Sequence, residues 1–290
     1  MFTGSHVAIV TPFRKGKVDE RALGDLIEWQ IAKGTNGIVP CGTTGESATL
    51  SHEEHNRVIE LTVEVVRRRV PVMAGTGSNS TDEAISLTKH AKQAGADAAL
   101  LITPYYNKPT QEGLYRHYKA IAEAVDLPLV LYNIPGRTGV NMFPATIARL
   151  AVIETIVGVK EGSGVIQQAS DIVQTCGDRL AVLAGDDAMT LPMMAVGGKG
   201  VITVTANIAP TEMANMVKAF AAGNIEEARR IHFQLSPLFA ALFYETNPIP
   251  VKEALGMMGK IDPELRLPLC SMGKDNREKL MQVMKEGRFI

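Results

Sequence analysis

Short runs of apolar, mostly β-branched residues alternate along the chain with stretches whose apolar positions repeat at helical spacing. The runs are His6–Val10, Gly37–Cys41, Val70–Gly75, Ala98–Pro104, Pro128–Ile134, Ile156–Lys160, Leu180–Gly185 and Gly200–Thr205. Most are continuously apolar, the pattern of parallel strands buried on both faces. Between them, Leu23, Leu26, Ile27, Gln30 and Ile31 predict a first helix. Val58, Ile59, Leu61, Val65 and Val66 predict a second. Thr81–Ala94 reads as a third, with Ser80 or Thr81 as its N-cap. Gly34, Gly95, Gly177 and Gly223 fall at or just past helix ends, where a left-handed residue is favoured.

Successive runs lie about 20 to 33 residues apart, the size of a strand–helix unit. Eight such units favour a closed (β/α)8 TIM barrel over an open doubly wound sheet. A dinucleotide-binding fingerprint is missing, because the first strand runs into Thr11-Pro12-Phe13-Arg14. Past residue 207 the pattern turns helical, over 211–222, 225–243, 251–258 and 275–286. The second of these carries Ile225, Ala228, Ile231, Leu235, Leu238, Phe239 and Leu242 on one stripe. The reading is a barrel with the catalytic site over residues 1–225 and a C-terminal helical region over 226–290.

Composition narrows the function. The chain has 290 residues, 46% apolar and 21% charged, with a net charge of -1. That is a globular chain with a large core. Its longest basic run is Arg67-Arg68-Arg69 at a helix end, so nucleic acid is not the expected partner. No apolar run approaches the roughly 20 residues of a membrane span. The start, Met1-Phe2-Thr3-Gly4-Ser5-His6, lacks a charged region followed by an apolar one, so no signal peptide is expected. Cys41, Cys176 and Cys270 are few and far apart, which fits a reducing cytoplasm.

In barrel enzymes chemistry gathers where strands run into loops. Lys160 ends one strand, where burial lowers a lysine pKa and frees a nucleophilic amine for a Schiff base. Snorkelling to water, or pairing with Glu161, is the structural alternative. Tyr132 ends the preceding strand and is either a proton shuttle or a satisfied core phenol. Arg137, in a Gly-rich turn, suits a carboxylate fork or a plain surface position. Thr43-Thr44 in a glycine-flanked loop reads as an anion cradle, or as a turn and N-cap. Asp186-Asp187 is either an acid/base pair or, since a helix begins directly after, a cap, which is the simpler reading. His52-Glu53-Glu54-His55 has its histidines three apart rather than four, and no third ligand is evident, so no metal site is expected.

Several motifs in order carry a family resemblance over nearly the full length. They are Gly42-Thr43-Thr44-Gly45-Glu46-Ser47, Thr103-Pro104-Tyr105-Tyr106-Asn107-Lys108-Pro109, Tyr132-Asn133-Ile134-Pro135-Gly136-Arg137-Thr138-Gly139, Gly158-Val159-Lys160-Glu161, Gly185-Asp186-Asp187 and Asn247-Pro248-Ile249-Pro250-Val251-Lys252. The chain resembles the dihydrodipicolinate synthase family (4-hydroxy-tetrahydrodipicolinate synthases) of the pyruvate-dependent Schiff-base lyase and aldolase superfamily. The resemblance implies condensation of pyruvate with L-aspartate 4-semialdehyde, on the diaminopimelate route to L-lysine. It implies imine formation on Lys160, proton transfer by Tyr132, and a relay through Thr43 to Tyr106 from the neighbouring subunit. Thr44 and Thr43 would hold the pyruvate carboxylate, Arg137 the semialdehyde carboxylate, and Gly185 and Ile202 would line the site. No cofactor beyond the covalent Schiff base is implied. Ser47, Ala48, His52, His55, Asn79, Glu83 and Tyr105 match positions that contact inhibitory L-lysine. A homotetramer, built as a dimer of dimers, is also implied. One departure is Gly162-Ser163 after the lysine, where many members carry Ala-Thr. The rival within the superfamily is an N-acetylneuraminate lyase or 2-keto-3-deoxy sugar acid aldolase. Arg137, Thr43 and Tyr106 favour the synthase.

Overall fold

A computed structural model describes residues 2–290. Eight strands are each followed by a helix, the element order of the (β/α)8 class, and three more helices end the described chain. The strands are β1 (Gly4–Ala8), β2 (Gly37–Val39), β3 (Met73–Gly75), β4 (Ala98–Ile102), β5 (Leu129–Asn133), β6 (Ile156–Glu161), β7 (Ala181–Ala184) and β8 (Gly200–Thr203). They fall inside or within two residues of the runs expected from the sequence. The chain divides into two compact units. One holds Met73–Ile202 with residues 2–4, and the other holds Ser5–Val72 and Thr203–Ile290.

In the first unit, β3 to β8 lie side by side in chain order, and every neighbouring pair is parallel. Their residues are almost wholly buried, Leu129-Val130-Leu131-Tyr132-Asn133 throughout. The continuous apolar runs therefore record burial on both faces. The register sets Tyr132 beside Lys160 and Lys160 beside Leu183. The helix Gln111–Ala124 buries Leu114, His117, Tyr118 and Ile121, one stripe at helical spacing, and Thr110 caps it by accepting from the Gly113 N–H at 3.2 Å. Ser80 caps the Thr81–Ala94 helix.

In the second unit, β1 pairs parallel with β2, Ala8 opposite Val39. The helix α1 (Glu20–Ala32) buries Leu23, Leu26, Ile27 and Gln30. The next, α2 (His52–Val66), starts on a reciprocal cap. Ser51 Oγ accepts from the Glu54 N–H at 3.2 Å, and Glu54 accepts from the Ser51 N–H at 3.0 Å. The C-terminal helices span Ile225–Ala241, Ile249–Met257 and Lys274–Glu286. Along the first of them the expected stripe is buried except for Ile225. Ile225 is the first helical residue and is 45% exposed, because packing begins a turn later, at Ala228.

Gly34, Gly95, Gly177 and Gly223 all have positive φ, as their places after helices predicted. A short ribbon had no counterpart among the expected strands. Phe13–Arg14 and Lys17–Val18 form a two-stranded antiparallel pair, with Lys15 and Gly16 at φ 53° and 77° in its turn. Among the described residues no helix is long and apolar enough to cross a membrane.

Gly77 follows β3 where the chain passes against β4. A Cβ there would overlap the backbone of Ile102 and Leu101. Backbone cannot rotate aside, so Gly77→Ala should cost about 1 to 3 kcal/mol of stability. Denaturant unfolding measures this; a change within about 0.5 kcal/mol would contradict the close approach.

Candidate active site

Strand β6 delivers Lys160 to its C-terminal end, buried at 5% exposure. Its neighbour in β5, Tyr132, is equally buried, and Lys160 Nζ sits 4.2 Å from the centre of the Tyr132 ring. Burial drives the Lys160 pKa down to about 8. The charge of Asp187 opposes that shift and the charge of Arg137 assists it. A lysine held there is neutral in a substantial fraction of molecules at mildly basic pH, as a nucleophilic amine requires. Snorkelling to water is thereby set aside.

Pairing with Glu161 is set aside as well. Consecutive strand residues point to opposite faces. Glu161 spends its carboxylate on the other side, accepting from Ser163 N–H at 2.7 Å, Asn133 Nδ2 at 3.0 Å and Gln168 Nε2 at 3.1 Å. Asn133 and Gln168 also bond Asn141, so the ends of β5 and β6 are locked by a buried amide network. Two backbone bonds continue it, Gly162 N–H to Asn133 O at 2.8 Å and Gly185 N–H to Glu161 O at 2.7 Å. A Cβ on Gly185 would lie 3.0 Å from both the Glu161 backbone oxygen and the Gly162 Cα, so a larger residue would push these strand ends apart. Ser163, after the lysine, accepts from the Val165 N–H at 3.2 Å.

Arg137 stands exposed on a single helical turn, Pro135–Thr138, directly after β5. Thr103 Oγ donates to Thr138 Oγ at 3.2 Å, which fastens that turn to the end of β4. Of the two aspartates after β7, Asp186 is the cap expected from the sequence, accepting from the Ala188 N–H at 2.9 Å. Asp187 is buried at 3% exposure and acts on Lys160 through its charge. Sequence reasoning missed that role; the only signal was a second carboxylate at a strand end. Ile202 lies buried in β8. Tyr106 is 89% exposed at φ 71°, and Tyr105 is half-exposed beside it. Asn79 Nδ2 donates to Tyr105 O at 3.2 Å, and Glu83 accepts from Ser78 Oγ, so Asn79, Glu83 and Tyr105 gather at the ends of β3 and β4.

The other unit carries Thr43 and Thr44 in a tight turn after β2, with Gly45 N–H to Gly42 O at 3.1 Å and Glu46 N–H to Thr43 O at 3.1 Å. They do not cap the helix that follows, since Ser51 caps α2. Thr44 is buried and Thr43 half-buried. Ser47 and Ala48 follow in a short 3-10 turn, and His52 and His55 lie in the first turn of α2. Glu54, between those histidines, is engaged by Arg266 Nη2 at 2.6 Å. Among the described residues no group of three His, Cys, Asp or Glu could hold a metal.

A buried lysine facing a phenol at adjacent strand ends, on eight strand–helix units, is the equipment of a barrel enzyme that works through an amine nucleophile. The sequence matches the model of the dihydrodipicolinate synthetase family over residues 1–287, and the chain belongs to that family. It is 61% identical over 290 residues to the 4-hydroxy-tetrahydrodipicolinate synthase of Thermodesulfovibrio yellowstonii, with all of each chain covered. The dihydrodipicolinate synthase from Aquifex aeolicus is 50% identical, with a TM-score of 0.98 and 99% of each chain covered. That from Cyanidioschyzon merolae, solved with lysine bound, is 41% identical with a TM-score of 0.97, covering 100% of this chain and 99% of its own. The chain is accordingly a lyase with the (β/α)8 fold and a C-terminal helical region.

The charges around Lys160 predict opposite shifts. Competitive acylation followed by peptide mass mapping reads the titration of each amine. Lys160 should titrate near pH 8, Asp187→Asn should move that midpoint down, and Arg137→Ala should move it up. Midpoints that stay together in the three proteins would contradict the electrostatic account.

Proposed function

We propose that this chain is a 4-hydroxy-tetrahydrodipicolinate synthase that joins pyruvate to L-aspartate 4-semialdehyde on the diaminopimelate route to L-lysine. The observation that carries the reading is the buried Lys160 amine against Tyr132. The amine attacks the keto carbon of pyruvate, and water leaves as the imine forms. The protonated imine nitrogen takes up electrons when a methyl proton departs, giving an enamine. That carbon attacks the aldehyde. The amine of the second substrate then displaces Lys160 and closes the ring. Tyr132 carries protons between these steps, with Thr43 and Tyr106 as its relay. Thr43 and Thr44 take the pyruvate carboxylate, and Arg137 takes that of the semialdehyde. Gly185 and Ile202 line the site. The imine is itself the electron sink, so the scheme calls on no cofactor.

Tyr106 supports an oligomer. An 89% exposed tyrosine in left-handed backbone suits donation to a neighbouring subunit, within a homotetramer made of two tight dimers. Ser47, Ala48, His52, His55, Asn79, Glu83 and Tyr105 are proposed to bind L-lysine as a feedback inhibitor. The lysine-bound relative supports that reading. The division at residue 225, barrel before and helical region after, and a cytoplasmic location belong to the same proposal.

Initial rates with both substrates test it. Lys160→Ala should lose turnover by about three orders of magnitude or more while staying folded. Arg137→Ala should raise KM for the semialdehyde about tenfold or more and leave pyruvate imine formation largely intact. Retained turnover in the first variant, equal loss of both steps in the second, or cleavage of N-acetylneuraminate by the wild type would contradict the proposal.

A further inference from the structure

The segment Asn247–Lys252 takes no part in the chemistry above, yet it holds a fully buried ion pair. Lys252 Nζ donates to Glu46 Oε1 at 2.5 Å, with the two side chains 0% and 1% exposed. The same amine donates to Glu264 O at 2.7 Å and sits 4.1 Å from the centre of the Phe13 ring. The second oxygen of Glu46 accepts from the Arg266 N–H at 3.2 Å. Glu46 itself is in left-handed backbone at φ 53°, two residues after Thr44. Its neighbours are tied down too. Gly45 O accepts from Thr11 Oγ at 2.7 Å, and Thr44 Oγ accepts from Asn247 Nδ2 at 3.0 Å. Three consecutive loop residues are therefore fixed by side chains from elsewhere in the unit. The partners of two of them come from beyond residue 246.

Stability alone does not account for this arrangement. Removing two charges from water is expensive, and an apolar pair of similar volume often gives an equal or more stable protein. What an apolar pair lacks is direction. A buried, saturated charge pair admits one geometry and transmits it to the backbone it holds. The bond from Asn247 adds chemical orientation. With its oxygen accepting there, the Thr44 hydroxyl hydrogen is turned elsewhere and kept for an acceptor such as a carboxylate.

We propose that Lys252 and Glu46 are positioning residues for the keto-acid substrate. The pair sets the Gly42–Ser47 loop so that its threonines meet the pyruvate carboxylate without reorganising. This rests on the reading of Thr43 and Thr44 as the carboxylate holders. The Asn247–Lys252 motif thereby acquires a role, since this C-terminal segment braces a substrate-binding loop 206 positions away.

The deciding quantity is the pyruvate concentration needed for half-maximal borohydride trapping on Lys160, measured in the full chain. The double variant Glu46→Leu/Lys252→Met removes both charges together and leaves neither one buried alone. Its melting temperature should stay close to that of the wild type. Half-saturating pyruvate and KM for pyruvate should rise about tenfold or more, with KM for the semialdehyde within about twofold. The pH midpoint of trapping should not move, since Asp187 and Arg137, the charges that act on Lys160, are retained. Asn247→Ala, which keeps the ion pair and removes the side-chain bond to Thr44, should shift half-saturation in the same direction. It serves also if the double variant fails to fold. Half-saturation unchanged in a folded variant, with normal trapping in the wild type, would overturn this inference and leave the proposed function standing. No trapping in the wild type would overturn both.

Discussion

Keeping the Lys160 amine out of water is the constraint on which the rest depends. At 5% exposure its charged form is disfavoured, and the fall from 10.5 to about 8 corresponds to about 3 kcal/mol. The sign follows from proton counting. Between pH 8 and 10.5 the unfolded chain binds a proton that the folded chain does not, so folding gains stability as pH rises through that window. Below it both states are protonated, and the folded protein carries the full penalty of the buried cation. The surroundings are arranged around that penalty. Asp187 returns part of it through its charge, while Arg137 adds to it. The amide network on Glu161, together with the close approach at Gly185, ties these strand ends to one another.

The two units use one strategy with different materials. In the first, a buried carboxylate, Glu161, is saturated by amides and locks the strand ends that present Lys160 and Tyr132. In the second, a buried carboxylate, Glu46, is saturated by an ammonium and a backbone N–H and locks the turn that presents Thr43 and Thr44. Neither glutamate is assigned a place in the chemistry. Each spends binding capacity on fixing a loop at a strand end, where a catalytic site needs accuracy of a fraction of an ångström.

Much of this was legible in the sequence, for local reasons. Continuous apolar runs such as Leu129–Asn133 mean burial on both faces, and all eight became strands. Lys160 was visible because a lysine closing such a run has nowhere to go but a strand end. Other features left weaker local traces. The Phe13–Val18 ribbon has two residues per strand, too short for any periodicity. Ile225 fits the apolar stripe by spacing but begins its helix, ahead of the packing. Asp186 caps the short 3-10 turn after β7, whereas Asp187 opens that turn and is buried, a difference that two adjacent aspartates do not show. The Glu46–Lys252 bond joins residues 206 positions apart, and nothing local pairs them. The functional roles came from several motifs standing in order, whereas composition and spacing alone reached only an amine nucleophile on a barrel.

Every step of the proposed chemistry passes through Lys160 as the covalent centre. Incubation with pyruvate, reduction with borohydride, and peptide mass mapping would examine that directly. The expected result is one stable adduct per chain, on the peptide that carries Lys160. A folded protein that acquires no adduct, or acquires it on another lysine, would contradict it.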